Sequence, residues 1–172
     1  MMKTNNPVIK EFWKTFLLKQ NLPLDTPVYD VFYFGNTKSV ANLCAQLVLD
    51  QKKKATSSLY KAYELENQPL PEVGNYSIVV DFDYHPVCII QTTAISILAF
   101  DNMTFEICKR EGEDDNLQSW VDHHHEFFTQ DALDYGLTFT PDMDVLFEDF
   151  QLMYTYNQYI QDKEKMATTT IF

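Results

Sequence analysis

The sequence predicts an α+β fold, in which mixed or antiparallel strands close into a β-barrel with helices packed outside it. Apolar residues recur at helical spacing near both ends of the chain, whereas β-branched runs between Pro, Gly and Asn fill the middle. A length of 172 residues suits one domain with a sizeable core. Since neither an internal repeat nor an obvious linker interrupts the sequence, we expect one barrel domain with helical additions.

Helix signals mark the first part of the chain. Asn6 can cap a helix that Pro7 opens, because the missing N–H of proline costs nothing in the first turn. A second helix is expected after a cap at Thr37 or Ser39. The first helix is expected over residues 7–20, and an aromatic connector over residues 27–35. The second helix is expected to run from its cap at Thr37 or Ser39 to about residue 50.

Strand signals dominate the middle, and helix signals return after it. The β-branched run Ile78-Val79-Val80 and the turn Asp83-Tyr84-His85-Pro86 predict an antiparallel hairpin. Gly136 fits the left-handed residue that ends a long helix. The expected ranges are strands at 55–60, 76–82, 87–100 and 144–156, helices at 101–110 and 116–135, and a loose tail at 162–172.

Charge is distributed unevenly along the chain. Residues 101–149 contain 14 acidic and 2 basic side chains, whereas residues 1–62 contain 9 basic and 4 acidic ones. Non-specific binding to long nucleic acids draws on many basic contacts, so long duplex DNA is not an expected partner. One nucleotide or a short RNA segment stays compatible with this charge. The basic side chains expected to group away from the acidic surface are Lys38, Lys52, Lys53, Lys54 and Lys61.

Several classes of protein are disfavoured by the residues present. Cys44, Cys88 and Cys108 are widely spaced and odd in number, which indicates reduced thiols. Consecutive residues of a helix point about 100° apart, so the run 123–125 of three histidines cannot turn all its rings toward one ion. We therefore expect no metal and no cofactor. No apolar run of about 18 residues and no signal-peptide core is present, which predicts a cytoplasmic protein without a membrane contact.

The most informative stretch is the segment 50–59, where three consecutive lysines pass into a strand of small hydroxylated residues. Positive charge and hydroxyl groups in one short turn are typical of a site for an anion or a nucleobase. Lysines also favour the last turn of a helix, where they offset the negative end of its dipole. Both interpretations stay open on the residues alone.

Taken together, these pieces and their order resemble the ASCH family, whose domain is related to the PUA fold. The resemblance covers roughly residues 34–156 and divides the chain into an N-terminal helical extension, 1–30, the domain, 31–158, and a C-terminal tail, 159–172. The matching pieces are Phe34-Gly35, residues 52–59, residues 70–81, residues 86–93, Glu111-Gly112-Glu113, Trp120, Phe127-Phe128 and residues 144–150.

The resemblance implies a cleft for RNA or a modified nucleoside. In small bacterial relatives the lysine turn reads Gly-x-Lys-Thr-x-Thr, and its Lys and second Thr, with a later Glu, are assigned to hydrolysis of the amide in N4-acetylcytidine. Those positions correspond here to Lys53, Thr56 and Glu113, with Glu111 as the alternative acid. Gln51 occupies the glycine position of that turn, and Lys54 its first threonine position. Substrate contacts are expected from Lys52, Lys54, Ser58, Glu111 and His124.

The chemistry of these residue types leaves the function open. Thr56 can act as a nucleophile only if a neighbour removes its proton, and Lys53 is a candidate base. Because side chains alternate along a strand, we expect Thr56 and Ser58 on the side of the cleft and Ser57 on the other side. Replacing Lys53 by Ala is expected to remove function without loss of a core contact. Three functions remain: an amidohydrolase for an acylated nucleoside, a non-catalytic RNA-binding or adaptor module, and a ribonuclease.

Overall fold

The computed structural model describes residues 6–169. It is a mixed α+β structure, and two short 3₁₀ turns, Phe100–Asn102 and Lys109–Glu111, flank the fourth helix. The helices are α1 (Pro7–Gln20), α2 (Lys38–Leu49), α3 (Tyr60–Leu65), α4 (Phe105–Cys108), α5 (Leu117–Asp134) and α6 (Tyr156–Thr169). The strands are β1 (Asp30–Phe32), β2 (Ala55–Leu59), β3 (Tyr76–Val80), β4 (Pro86–Ala99) and β5 (Asp144–Thr155).

The described strands form one mixed sheet in the order β1-β3-β4-β5-β2. β1 pairs with β3 in parallel, and β2 pairs with β5 in antiparallel register, with Thr56 opposite Glu148. The strand at the lysine turn and the last strand therefore share a sheet, as the sequence predicted. The α+β class with mixed strands and flanking helices is confirmed.

The chain divides into two compact units. Within the described range, the first unit comprises residues 6–45, 76–90 and 152–169, and its aromatic core joins α1, β3 and the end of β5. Phe12 stacks on Tyr154 with ring centroids 5.5 Å apart, and both side chains are fully buried. Asn6 accepts a hydrogen bond from Val8 N at the start of α1, which confirms the predicted cap.

The second unit comprises residues 46–75 and 91–151 and contains every residue that the sequence assigned to a site. Its core lies between α5 and one face of β2 and β5. Trp120 and Phe128 of α5 pack there with Ala55, Leu59 and Phe147. Asn116 caps the start of α5 by accepting a hydrogen bond from Ser119 N. Gly136 adopts a φ of +70° after the end of this helix, as the sequence predicted.

Three local predictions were wrong. The aromatic connector contains β1, which is too short for a readable alternation. No element was predicted from the sequence directly after β2, where the structure forms α3. The helix expected over 101–110 is broken into α4 and the two 3₁₀ turns. The expected loose tail is helical as far as Thr169, while residues 170–172 lie outside the described range.

The start of α6 carries a sequence signal that explains this last difference. Thr155 Oγ1 accepts from Gln158 N at 3.2 Å, and the Gln158 side chain accepts from Thr155 N at 2.8 Å. This reciprocal pair is a capping box, which stabilises the start of a helix. Asp162 then accepts from Lys19 and from the Tyr154 hydroxyl. Within the described range, no helix combines the length and the apolar character needed to cross a membrane.

Candidate functional site

The lysine turn is shaped by the C-terminal cap of α2. Gln51 N bonds to Val48 O, and Lys52 N bonds to Leu47 O, each at 2.9 Å. This pair of bonds is a Schellman motif, which requires a left-handed residue after the helix. Gln51 supplies it with a φ of +57°. The position that carries glycine in the related motif is therefore left-handed here, although it carries a side chain.

A second loop, residues 110–113, lies directly against this turn. Lys54 N donates to Arg110 O at 2.8 Å. Gly112 has a φ of +72°, and a Cβ placed there would lie 2.6 Å from the carbonyl carbon of Lys52 and 3.0 Å from Lys53 N. Since real Cβ atoms do not approach a backbone so closely, glycine permits this contact. The contact brings the carboxylates on both sides of Gly112 to the lysine turn.

Glu111 is the buried centre of the site, with 2% of its surface exposed. Its Oε1 accepts from Ser57 Oγ and from Trp120 Nε1, each at 2.9 Å. Its Oε2 lies 3.3 Å from Lys53 Nζ and 3.4 Å from His124 Nε2. Each carboxylate oxygen therefore faces two donor groups, and these contacts replace the hydrogen bonds to water that the buried Glu111 has lost.

Lys53 joins this buried carboxylate to a more accessible one. Its side chain is 1% exposed, and its Nζ also donates to Glu113. The side chain of Glu113 is 23% exposed. Lys53 is thus buried, and Glu113 is the more exposed of its two carboxylate partners.

The electrostatics of the site follow from burial and opposite charge. Burial alone would raise the pKa of Glu111, but the charges and hydrogen bonds of Lys53 and His124 lower it to about 2. Burial alone would lower the pKa of His124, but the hydrogen bond and charge of Glu111 outweigh this and raise it above the usual value. Glu111 is therefore ionised throughout the neutral range.

The predicted orientation of β2 was wrong. Ser57 donates to Glu111, so Ser57 lies on the side of the strand that carries the buried site, together with Ala55 and Leu59. Alternation places Thr56 and Ser58 on the opposite face. There Ser58 Oγ lies 2.9 Å from the Tyr63 hydroxyl, and Thr56 is the cross-strand neighbour of Glu148 on β5. The burial of Ala55 and Leu59 was readable from the sequence and would have indicated the correct phase.

The three histidines of α5 point in different directions, as the helical spacing predicted. His124 stacks on Trp120 with centroids 4.2 Å apart. His123 Nδ1 lies 2.8 Å from Asp114, and His125 contacts the Phe100 and Phe139 rings. Over residues 6–169, no group of three or more His, Cys, Asp or Glu side chains is arranged to hold a metal ion.

The remaining cations of the predicted basic group have different neighbours. Lys52 and Lys54 flank the site and are exposed. Lys61 contacts Glu64, and in the other unit Lys38 contacts Asp83. Arg110 binds Asp149 with two hydrogen bonds, at 2.6 and 3.1 Å, which holds the loop before Glu111 on β5. Sequence reasoning missed this pair and the Trp120 contact with Glu111.

Comparison with known proteins gives a family for most of the chain. The family model described as the ASCH domain matches residues 30–154. A comparison with curated proteins gave no significant match.

Two solved structures are similar over nearly the whole chain. A protein from Enterococcus faecalis, assigned to the family model DUF984, is 32% identical with a TM-score of 0.80, and the match covers 87% of this chain and 90% of that one. An ASCH domain from Lactobacillus crispatus is 25% identical with a TM-score of 0.77, covering 89% and 99% of the two chains.

Proposed function

The chain belongs to the ASCH domain family, and we propose that it binds RNA or a modified nucleoside, with Glu113 as the group that contacts the base. The observation that carries this proposal is the partial exposure of Glu113 above a buried lysine. A carboxylate accepts hydrogen bonds and suits the exocyclic amino group of cytosine or adenine. Unpaired bases present these edges in single-stranded RNA and in free nucleosides.

The surroundings of Glu113 favour a short ligand. The segment 101–149 contains 14 acidic and 2 basic residues, which opposes the many phosphate contacts of a long duplex. Lys52 and Lys54 are exposed beside the site. We assign them to one or two phosphates adjacent to the bound base.

Hydrolysis of an acylated nucleoside such as N4-acetylcytidine is the second candidate function. The contact between Lys53 and Glu113 favours this function. These are two of the three residues that the resemblance to the family implies for the reaction. Hydrolysis breaks the amide C–N bond; water supplies a hydroxyl to the acyl carbon and a proton to the amino group. The third residue, Thr56, lies on the face of β2 opposite Ser57, so binding is the function that the geometry supports better.

Product analysis separates these functions. The purified protein is incubated with N4-acetylcytidine and short RNAs, and the products are identified by mass spectrometry. If the protein releases acetate and cytidine, and this activity is lost in Glu113→Gln but retained in the control Asp115→Asn, it is an amidohydrolase. If the RNA is shortened, the protein is a ribonuclease. If no substrate is converted while cytidine or a short RNA binds, the protein is a non-catalytic binding module. The absence of both turnover and binding contradicts the proposal.

A further inference from the structure

His124 occupies an unusual position for a histidine, because both ring nitrogens face hydrogen-bond acceptors. Nδ1 lies 3.0 Å from the backbone carbonyl oxygen of Trp120, and Nε2 lies 3.4 Å from Oε2 of Glu111. A neutral imidazole carries one N–H and one lone pair. Either neutral tautomer would therefore direct a lone pair at an oxygen atom, whereas the imidazolium donates to both.

The groups around His124 agree with a positive charge. Burial and, to a lesser extent, Lys53 oppose the charged ring, but the hydrogen bond and charge of Glu111 and the charge of Glu113 outweigh them. His124 is 9% exposed, and its ring stacks on that of Trp120; the centroid of the Phe128 ring, on the same helix, lies 6.0 Å away. The two carboxylates thus face two cations in this site when His124 is protonated.

We infer that His124 is an imidazolium that neutralises Glu111 and thereby leaves the ammonium of Lys53 available to hold Glu113 in place. His124 acts as a positioning residue through Lys53. This inference rests on the proposed function only in its consequence for ligand binding; the charge of His124 follows from the geometry alone.

The consequence has a definite direction with pH. When His124 loses its proton, Lys53 is the only cation left beside Glu111 among the described contacts, and it is drawn from Glu113 toward the buried carboxylate. Glu113 then loses the partner that orients it. Binding of a base through Glu113 should weaken as pH rises through the titration of His124, by about tenfold, the usual effect of losing one charge-assisted hydrogen bond.

The charge is tested by NMR on the free protein, through the ¹⁵N shifts of the imidazole nitrogens between pH 5 and 9. We expect His124 to be mainly protonated on both nitrogens at pH 6.5, with a midpoint above the ordinary value for a histidine. A neutral His124 at pH 6.5 overturns the inference, whatever the protein binds.

Its effect on the site is tested by calorimetric titration with cytidine at pH 6 and pH 9. The wild type should bind about tenfold more tightly at pH 6, whereas His124→Gln, which retains an amide donor without charge, should bind weakly at both values. His123→Gln serves as the control on the same helix and should retain the wild-type dependence. If His124→Gln shows the wild-type dependence, the positioning role is wrong. If no variant binds cytidine while NMR shows a charged His124, the proposed function fails and the charge assignment stands.

Discussion

Lys53 and Glu111 are 58 residues apart in sequence, yet Lys53 Nζ lies 3.3 Å from Glu111 Oε2 with both side chains at most 2% exposed. A buried ion pair is weak evidence for stability, but removing one member leaves an uncompensated charge. The expectation that Lys53→Ala leaves the fold intact assumed that Lys53 makes no core contact, and that assumption is wrong because Lys53 is buried.

Lys53→Ala should lower the free energy of unfolding by about 3–5 kcal/mol, the usual cost of stranding a buried charge. Urea denaturation measures this change. Lys52→Ala, at an exposed neighbouring position, should change it by less than about 0.5 kcal/mol. The double variant Lys53→Met with Glu111→Gln should recover part of the loss, since the buried Lys53–Glu111 pair is replaced by uncharged side chains and His124 can then release its proton. Equal losses for Lys53→Ala and Lys52→Ala would contradict a buried ion pair.

Gly112→Ala should destabilise the protein more than Gly136→Ala. Both glycines have a φ near +70°, but a Cβ meets the backbone of Lys52 and Lys53 at the first and nothing within 4 Å at the second. Gly136→Ala should cost about 1–2 kcal/mol from the left-handed conformation alone. The excess for Gly112→Ala reports the contact with the lysine turn, and thermal unfolding of the two variants measures it. Equal shifts in Tm would show that the two loops do not touch.

Gln51→Gly should stabilise the protein by about 1 kcal/mol, because glycine adopts the observed φ of +57° without a steric penalty. Asn21→Gly, at the left-handed residue after α1, is the matched comparison. Its gain should be smaller, since asparagine tolerates this conformation. Unfolding in urea distinguishes the two values, and a destabilising Gln51→Gly would contradict the cap geometry.

Much of this site was predictable from local sequence, and what was missed depends on distant contacts. The lysine turn, the acidic loop and the cap of α5 all follow from residue types close in sequence. The orientation of Ser57 was missed because the apolar residues at the two ends of β2 were not used to set its phase, and because its partner Glu111 lies 54 positions away. β1 was missed because three residues show no alternation, and its parallel partner, β3, is distant. α6 was missed because its charged sequence outweighed the capping signal at Thr155 and Gln158.

Acid should weaken the fold through Glu111. The folded-state pKa of about 2 is below the ordinary 4.5, so the stabilisation is present above pH 4.5 and is lost as pH falls toward 2. The linked loss is about 3 kcal/mol. Glu111→Gln should flatten this part of the pH–stability curve, whereas Glu106→Gln, whose side chain is 81% exposed, should leave its shape unchanged. An unaltered curve for Glu111→Gln would place the acid sensitivity elsewhere.

The most direct test of base recognition at Glu113 is an NMR titration of ¹⁵N-labelled protein with cytidine and, separately, with uridine, which has a carbonyl in place of the amino group. Cytidine should shift the backbone amides of Lys52, Lys53, Gly112 and Glu113, and these shifts should be lost in Glu113→Gln and retained in Asp115→Asn. Uridine should produce much smaller shifts at the same amides. Equal responses to cytidine and uridine, or cytidine shifts that persist in Glu113→Gln, would contradict base recognition at this site.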